Sequence, residues 1–329
     1  MGRKCSKGRA PAGVSSLKAV RRQISGVLLL DKHVDLSSNT AVGWAKRLLN
    51  ADKAGHTGTL DPFATGLLPI CFGEAAKFAR FMLEAEKAYR ATLKLGQKSS
   101  TGDTEGEIVE TRAVDVNLET VNETLAKFIG AQTQIPPMHS ALKQGGVPLY
   151  KLARQGLEVE RPARDINVIA LRALKLEGDE LIIDTVVSKG TYIRVLAEDI
   201  GEALGCGAHL IALRRTGTGG FGIDQAVTLE ALDAMDLTQR DANLLPADAL
   251  AMALPDIRLN AIAAKALQNG QTPRVHVESQ PMTDTGHYRI YDEAGLFLGV
   301  ATASQCNADS ATLTALRMMA PSAVVAEKP

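Results

Sequence analysis

The chain has 329 residues, 45% of them hydrophobic and 22% charged, and carries no formal net charge. That length exceeds the roughly 100–200 residues of one domain, so two domains with a sizeable core are expected. No apolar run approaches the roughly 20 residues of a membrane span. The four cysteines, Cys5, Cys71, Cys206 and Cys306, and the six histidines show neither paired nor metal-binding spacing, which argues against a disulfide scaffold or a metalloenzyme and fits reduced thiols in the cytoplasm.

Charge is uneven along the chain. Residues 1–25 hold seven Lys or Arg and no Asp or Glu, and no apolar stretch after them resembles a signal peptide; residues 1–22 are expected to form a disordered basic arm. The remainder is net acidic, so any nucleic-acid site must be a local basic cluster facing a limited, folded target.

In chain order, ISGVLLLDK (24–32) predicts a buried strand. Ser38 then caps a helix whose Ala41, Trp44, Ala45 and Leu48 follow helical spacing. GLLPICF predicts a short strand and GEAAKFARFMLE a helix burying Ala75, Phe78, Ala79 and Met82. KAYRATLKLG (87–96) alternates, which puts Tyr89, Ala91, Leu93 and Leu95 on one face and Arg90, Thr92 and Lys94 on the other. Strands are expected near 166–176 and 180–188, followed by a helix with Ile193, Leu196, Ala197 and Ile200 inward. The helical reading extends to GAHLIALRRT. Two prolines in LLPADALAMALPD suggest a boundary there, and YRIYDEAGLFLGVA reads as a hairpin in a small β-rich module. Strands and helices interleave without a strict βαβ rhythm, so the expected class is α+β with a mixed sheet. Gly217, Gly219 and Gly222 match a dinucleotide-binding spacing, but the helix expected before them and the lack of a surrounding βαβ unit speak against it.

Three clusters could carry chemistry. In GHTGTLDPFATG (55–66) a single carboxylate, Asp61, sits among three glycines and three threonines, with Pro62 fixing the chain just after it and His56 five residues before. On the residues alone, Asp61 is either a rigidly held catalytic carboxylate or a turn cap ahead of Pro62. In SKGTYIR (188–194), an extended chain would put Tyr192 and Arg194 on one side, an aromatic surface beside a permanent cation able to aim Asp61; a solvated strand end fits as well. Arg214 and Arg215 offer phosphate contacts at the end of the expected helix, or are simply solvated.

GHTGTLDPFATGLLPICFGEAAKF, KAYRATLKLG, QIPPMHSALKQGGVPLYKLARQG and SKGTYIRVLAEDIGEALGCGAHLIALRRT, in that order, closely resemble the bacterial TruB family of tRNA pseudouridine-55 synthases, from about residue 26 to about 222. The resemblance implies a pseudouridine-synthase mixed sheet with flanking helices over residues 23–250, an RNA-gripping thumb at 134–156, a PUA-like barrel over 251–323 and a tail at 324–329. It implies isomerisation of one uridine in the tRNA T loop to pseudouridine without metal or organic cofactor, by a monomer whose partner is the tRNA T-arm and not a membrane. Asp61 matches the nucleophile, Arg194 the arginine paired with it, and Tyr89 the tyrosine that stacks on the flipped uracil. His56, Tyr192 and Leu213 match residues lining the pocket; Lys77, Lys143, Arg214 and Arg215 are candidate phosphate contacts. Where the family reads Lys-Pro-x-Gly, this chain has Lys32, His33, Val34 and Asp35; Asp tolerates left-handed backbone angles, so Asp35 stands in for the glycine. A non-catalytic RNA-binding protein of the same fold is the alternative. A carbohydrate hydrolase would need a second carboxylate across the cleft, and none stands beside Asp61 in GHTGTLDPFATG.

Overall fold

The computed structural model describes residues 21–276, 282–307 and 310–320; most of the basic arm, Cys5 and the tail lie outside them. Among the described residues the first strand is β1 (Gly26–Lys32), whose GVLLL run is apolar because both of its faces are covered. Helix α1 (Ser38–Leu48) is capped by Ser37, one residue earlier than expected, leaving Ser38 buried in the first turn. Strand β2 (Ala54–His56), the loop carrying Asp61 and β3 (Thr65–Phe72) form a hairpin with His56 opposite Ile70. The stretch expected as one helix is a 3-10 turn, Gly73–Phe78, followed by a short α2 (Ala79–Leu83); Ala75, Phe78 and Met82 are buried as the spacing requires.

The alternating segment becomes β4 (Lys87–Leu95), with every second residue buried. A small hairpin of β5 (Gln97–Ser99) and β6 (Ile108–Thr111), helix α3 (Leu118–Ala126) and β7 (Gly130–Gln134) lead into the thumb segment. There β8 (Lys143–Gln144) and β9 (Val147–Pro148) form a tight hairpin ahead of α4 (Leu149–Ala153). Long strands β10 (Arg164–Glu177) and β11 (Glu180–Val187) precede α5 (Ile193–Ala203).

GAHLIALRRT is a strand, not a helix: β12 (Ala208–Thr218) runs through the middle of the sheet, antiparallel to β4 from Ala208 opposite Leu95 to Thr218 opposite Lys87. A short apolar run reads equally as either element, and long-range pairing decides. The glycines at 217–222 close a tight turn from β12 into β13 (Phe221–Gly222), with Gly217 opposite Gly222. This excludes a strand-to-helix phosphate loop even though the preceding element is a strand. Strand β14 (Val227–Thr228), helices α6 (Leu229–Ala234) and α7 (Leu237–Ala242) and β15 (Leu244–Leu245) complete this part.

The main sheet has 11 strands in the order β14-β1-β3-β12-β4-β11-β10-β7, with β13 on β12, β15 on β1 and β2 on β3. One face packs Leu28, Leu30, Tyr89, Ala91, Leu93 and Leu213 against Ala41 and Ala45 of α1 and Ile193, Leu196 and Ile200 of α5. On the other face, Val27, Leu29, Leu67 and Cys71 join a second core with the C-terminal sheet. That sheet comprises β16 (Asp256–Leu259), β17 (Arg274–His276), β18 (His287–Asp292), β19 (Phe297–Ser304) and β20 (Ser310–Met318), ordered β16-β18-β19-β20-β17, with α8 (Ala261–Gln268) between β16 and β17. Strands β18 and β19 are the expected hairpin. The curled half-barrel is consistent with a PUA-like module, and it docks through contacts such as Phe78 against Phe297, ring centroids 5.0 Å apart.

Candidate active site

The loop between β2 and β3 is held from several sides. Ser38 Oγ donates to the Leu60 carbonyl and accepts from the Leu60 N–H, at 2.9 and 2.8 Å. Lys32, 1% exposed, donates its ammonium to the carbonyls of His33, Leu36 and Pro62. Burial pulls that ammonium down to about 8, with Asp61 acting in the opposite sense. The Asp35 N–H also donates to the Pro62 carbonyl at 2.9 Å, from a backbone at φ +62°, so Asp35 does adopt the left-handed angle of the glycine it replaces. His33 is exposed and paired with Glu230 at 2.5 Å.

So anchored, Asp61 presents its Oδ2 3.1 Å from Arg194 Nη2, with its own side chain 37% exposed and that of Arg194 only 5% exposed. Tyr192 ends the extended segment and α5 starts at Ile193, so the two residues are not alternate positions on a strand as expected. Arg194 reaches Asp61 from the first turn of a helix. Its guanidinium also lies 3.3 Å from the buried Asp103 and donates to the carbonyls of Thr101 and His139. Asp103 accepts from Thr101 Oγ1 and the Glu105 N–H. Burial pushes the Asp61 carboxyl above the ordinary carboxylate range; Arg194 pulls it back and Asp103 pushes it up. Arg194 therefore favours the ionised form of Asp61 as well as holding it in place.

On the sheet itself, Tyr89 of β4 and Leu213 of β12 are both buried on the face that carries α5. The backbone of Tyr192 is clamped by the Gln134 side chain, whose Oε1 accepts from its N–H and whose Nε2 donates to its carbonyl. Burial raises the Tyr192 phenol. His56 is half-buried, its Nδ1 accepting from the Gly58 N–H at 3.3 Å. Burial, then the charge of Arg215, hold its ring below the usual histidine range, which favours the neutral ring and matches Nδ1 acting as an acceptor.

The candidate phosphate contacts do not gather here. Lys77 is engaged by Glu74 and the Met318 carbonyl, tying the C-terminal sheet down. Arg214 lies on the opposite face of the sheet, its guanidinium bidentate to Asp31, and Arg215 is 2% exposed; neither ends a helix. Lys143 stays exposed on β8. The sequence reading also missed Asp103, the second carboxylate at the site. It sits in the TGDTEG loop between β5 and β6, and only the approach of α5 from 91 residues later gives it meaning.

Comparison with known proteins supplies the family. The TruB family pseudouridylate synthase N-terminal domain matches residues 46–193, the tRNA pseudouridylate synthase B C-terminal domain residues 194–252, and the pseudouridine synthase II TruB C-terminal model residues 255–308. The tRNA pseudouridine synthase B of Burkholderia mallei is 50% identical over 290 residues, 88% of this chain and 93% of the relative. The chain belongs to the TruB family of pseudouridine synthases. The tRNA pseudouridine synthase B of Neisseria meningitidis serogroup A agrees, at 50% identity over 92% of this chain and 97% of its own. Among solved structures, a chain in the crystal structure of a Cbf5-Nop10-Gar1 complex superposes with a TM-score of 0.70 at 26% identity, covering 90% of this chain and 85% of that one. The fold and the enzymatic class, isomerisation of uridine to pseudouridine, are those of this family.

Proposed function

We propose that this protein converts the T-loop uridine at position 55 of tRNA to pseudouridine, with Asp61 as nucleophile on a uridine turned out of its stack. The observation that carries the reading is the Asp61–Arg194 pair, a partly exposed carboxylate held 3.1 Å from a buried guanidinium. A nucleophile has to be ionised, fixed and open to substrate on one side, and this pair meets all three needs.

A stacked uridine is unreachable, so the nucleotide must first be extruded. His56 and Tyr192 are the planar groups for displacing and holding bases, and Tyr89 with Leu213 forms the floor on which the extruded uracil stacks. Asp61 attacks the base or the ribose, the bond from N1 to C1′ breaks, the uracil turns, C5 bonds to C1′, and the bond to Asp61 breaks to free the carboxylate. The proton on C5 then leaves and N1 gains one, with Tyr89 near the ring to assist. Product and substrate are isomers, so no oxidant, metal or co-substrate enters the balance. The thumb at 134–156 grips the RNA with Lys143 outward, the C-terminal module touches the tRNA away from the reaction, and the enzyme works in the cytoplasm as a monomer.

The test is incubation of the full chain with an unmodified tRNA transcript labelled with tritium at uridine C5, without added metal or cofactor. Stoichiometric tritium release and one pseudouridine at the T-loop site are expected. No release from any tRNA with a uridine at that site would sink the assignment.

A further inference from the structure

Arg215 calls for an account of its own. It occupies an inward position of the central strand β12, 2% exposed, where an aliphatic side chain would serve packing better. A buried guanidinium normally faces a carboxylate, as Arg194 does. Arg215 instead meets carbonyl oxygens: Nε donates to Leu67 at 2.6 Å and Nη2 to Gly58 at 3.2 Å. Among the described residues it forms no ion pair. Residues 58 and 67 flank Asp61, so one rigid fork spans the base of the catalytic loop.

The backbone is shaped for this approach. Gly66 lies opposite Arg215 across the β3–β12 pairing, and a Cβ there would sit 2.3 Å from the Arg215 carbonyl oxygen. Gly58, at φ +152°, accepts from Arg215 through its carbonyl and donates its N–H to His56 Nδ1. Arg215, Gly58 and His56 thus form a continuous chain of contacts leading toward Asp61.

We propose that Arg215 is a positioning residue of the reaction, stapling Gly58 to Leu67 so that Asp61 and the ring of His56 are held in register for the extruded uridine. The proposal rests on the roles given to Asp61 and His56 above. Its charge has a second effect. Strand β3 brings Ile70 opposite His56, and the charged group acting on His56 is Arg215. A positive neighbour opposes protonation, which leaves the Nδ1 lone pair free for the Gly58 N–H.

The experiment compares the full-length protein with Arg215→Lys and Arg215→Met. It reads the His56 ring proton by NMR titration in the free protein, and separately the single-turnover rate and tRNA Kd. Arg215→Lys keeps the charge without the fork, so the His56 titration stays in place while the rate falls on the order of 100-fold, as expected for a displaced reacting group, with Kd little changed. Arg215→Met loses both, so the rate falls and the His56 titration moves to higher pH. An arginine that served folding alone would lower stability in Arg215→Lys without lowering the single-turnover rate of the folded variant. A His56 titration unchanged in Arg215→Met, or a parental rate in Arg215→Lys, overturns the proposal. Should Arg215→Met fail to fold, the rate of Arg215→Lys decides. Should the parent make no pseudouridine, the functional reading falls, and the His56 titration still judges the contact between Arg215 and the loop.

Discussion

On the face of the main sheet away from the helices, in the part that the C-terminal sheet leaves open, Arg90 and Arg172 share Asp184 and Arg214 holds Asp31, with their side chains 53%, 72% and 42% exposed. On the helix-covered face the arginines are Arg194, bridging Asp61 and Asp103, and Arg215, bound to carbonyls, both nearly inaccessible. Arg214 and Arg215 are adjacent in the chain, so the pleat alone separates the two settings. In water an ion pair exchanges solvent contacts for a salt bridge at little net gain. In the covered face the same group cannot be resolvated, and each hydrogen bond it makes fixes the geometry of whatever it touches. The open face should therefore tolerate substitution, whereas the covered face should lose chemistry or stability.

The largest expected effect separates chemistry from stability on the covered face. Asp61→Asn should lower the single-turnover rate by at least roughly 1,000-fold, since an amide is a very poor nucleophile. Affinity for tRNA should stay level or rise, and the melting temperature should not fall, because Arg194 keeps Asp103. Substantial pseudouridine formation by this variant would end the nucleophile assignment; unfolding would favour a turn-capping role. Arg194→Met should abolish turnover and also destabilise by about 3–5 kcal/mol in urea titration, because two carboxylates lose their shared buried partner. A loss below about 1 kcal/mol would place Arg194 in the same energetic class as the open-face arginines.

The pH dependence sharpens the contrast further. Because the Asp61 carboxyl is raised, the acid limb of the rate should be centred above the ordinary carboxylate value of about 3.9. The fold disfavours ionised Asp61, so between the unfolded and the raised native value its contribution to stability falls as pH rises, and Asp61→Asn should remove that slope. Asp184 on the open face has the opposite sign: hydrogen bonding by Arg90 holds it below the ordinary range, so its small contribution is present above the unfolded value and fades as pH falls through the native one. An acid limb at or below 3.9 would contradict the buried setting of Asp61.

The smallest effects belong to the periphery. Arg214→Ala should change unfolding free energy by less than about 1 kcal/mol despite its bidentate contact; a larger loss would mean that the open face is not solvated as described. Arg22, counted with the basic arm, is held by Asp241 and by backbone bonds to Asn50 and Asp52. A truncation should therefore stop at residue 20, leave folding and turnover intact, and weaken tRNA binding slightly at low salt. Loss of the folded state would show that the arm packs on the core.

Local pattern determined much of this protein. The apolar run of β1, the alternation that turns Tyr89 inward on β4 and the helical spacing of α5 are short-range properties that survive any packing, and the motif order carried the resemblance to the family. Tertiary structure decided the rest, for identifiable reasons. HLIALRRT suits either period, and only pairing with β4 made it a strand, with register shifts around Leu210 and Arg215. Which of Arg214 and Arg215 would be buried followed from that pairing. The start of α5 at Ile193 changed the geometry by which Arg194 reaches Asp61. Asp103 joined the site only because a loop between β5 and β6 meets the first turn of a helix 91 residues downstream, a contact set by the path of the chain and not by any property of the residues around it.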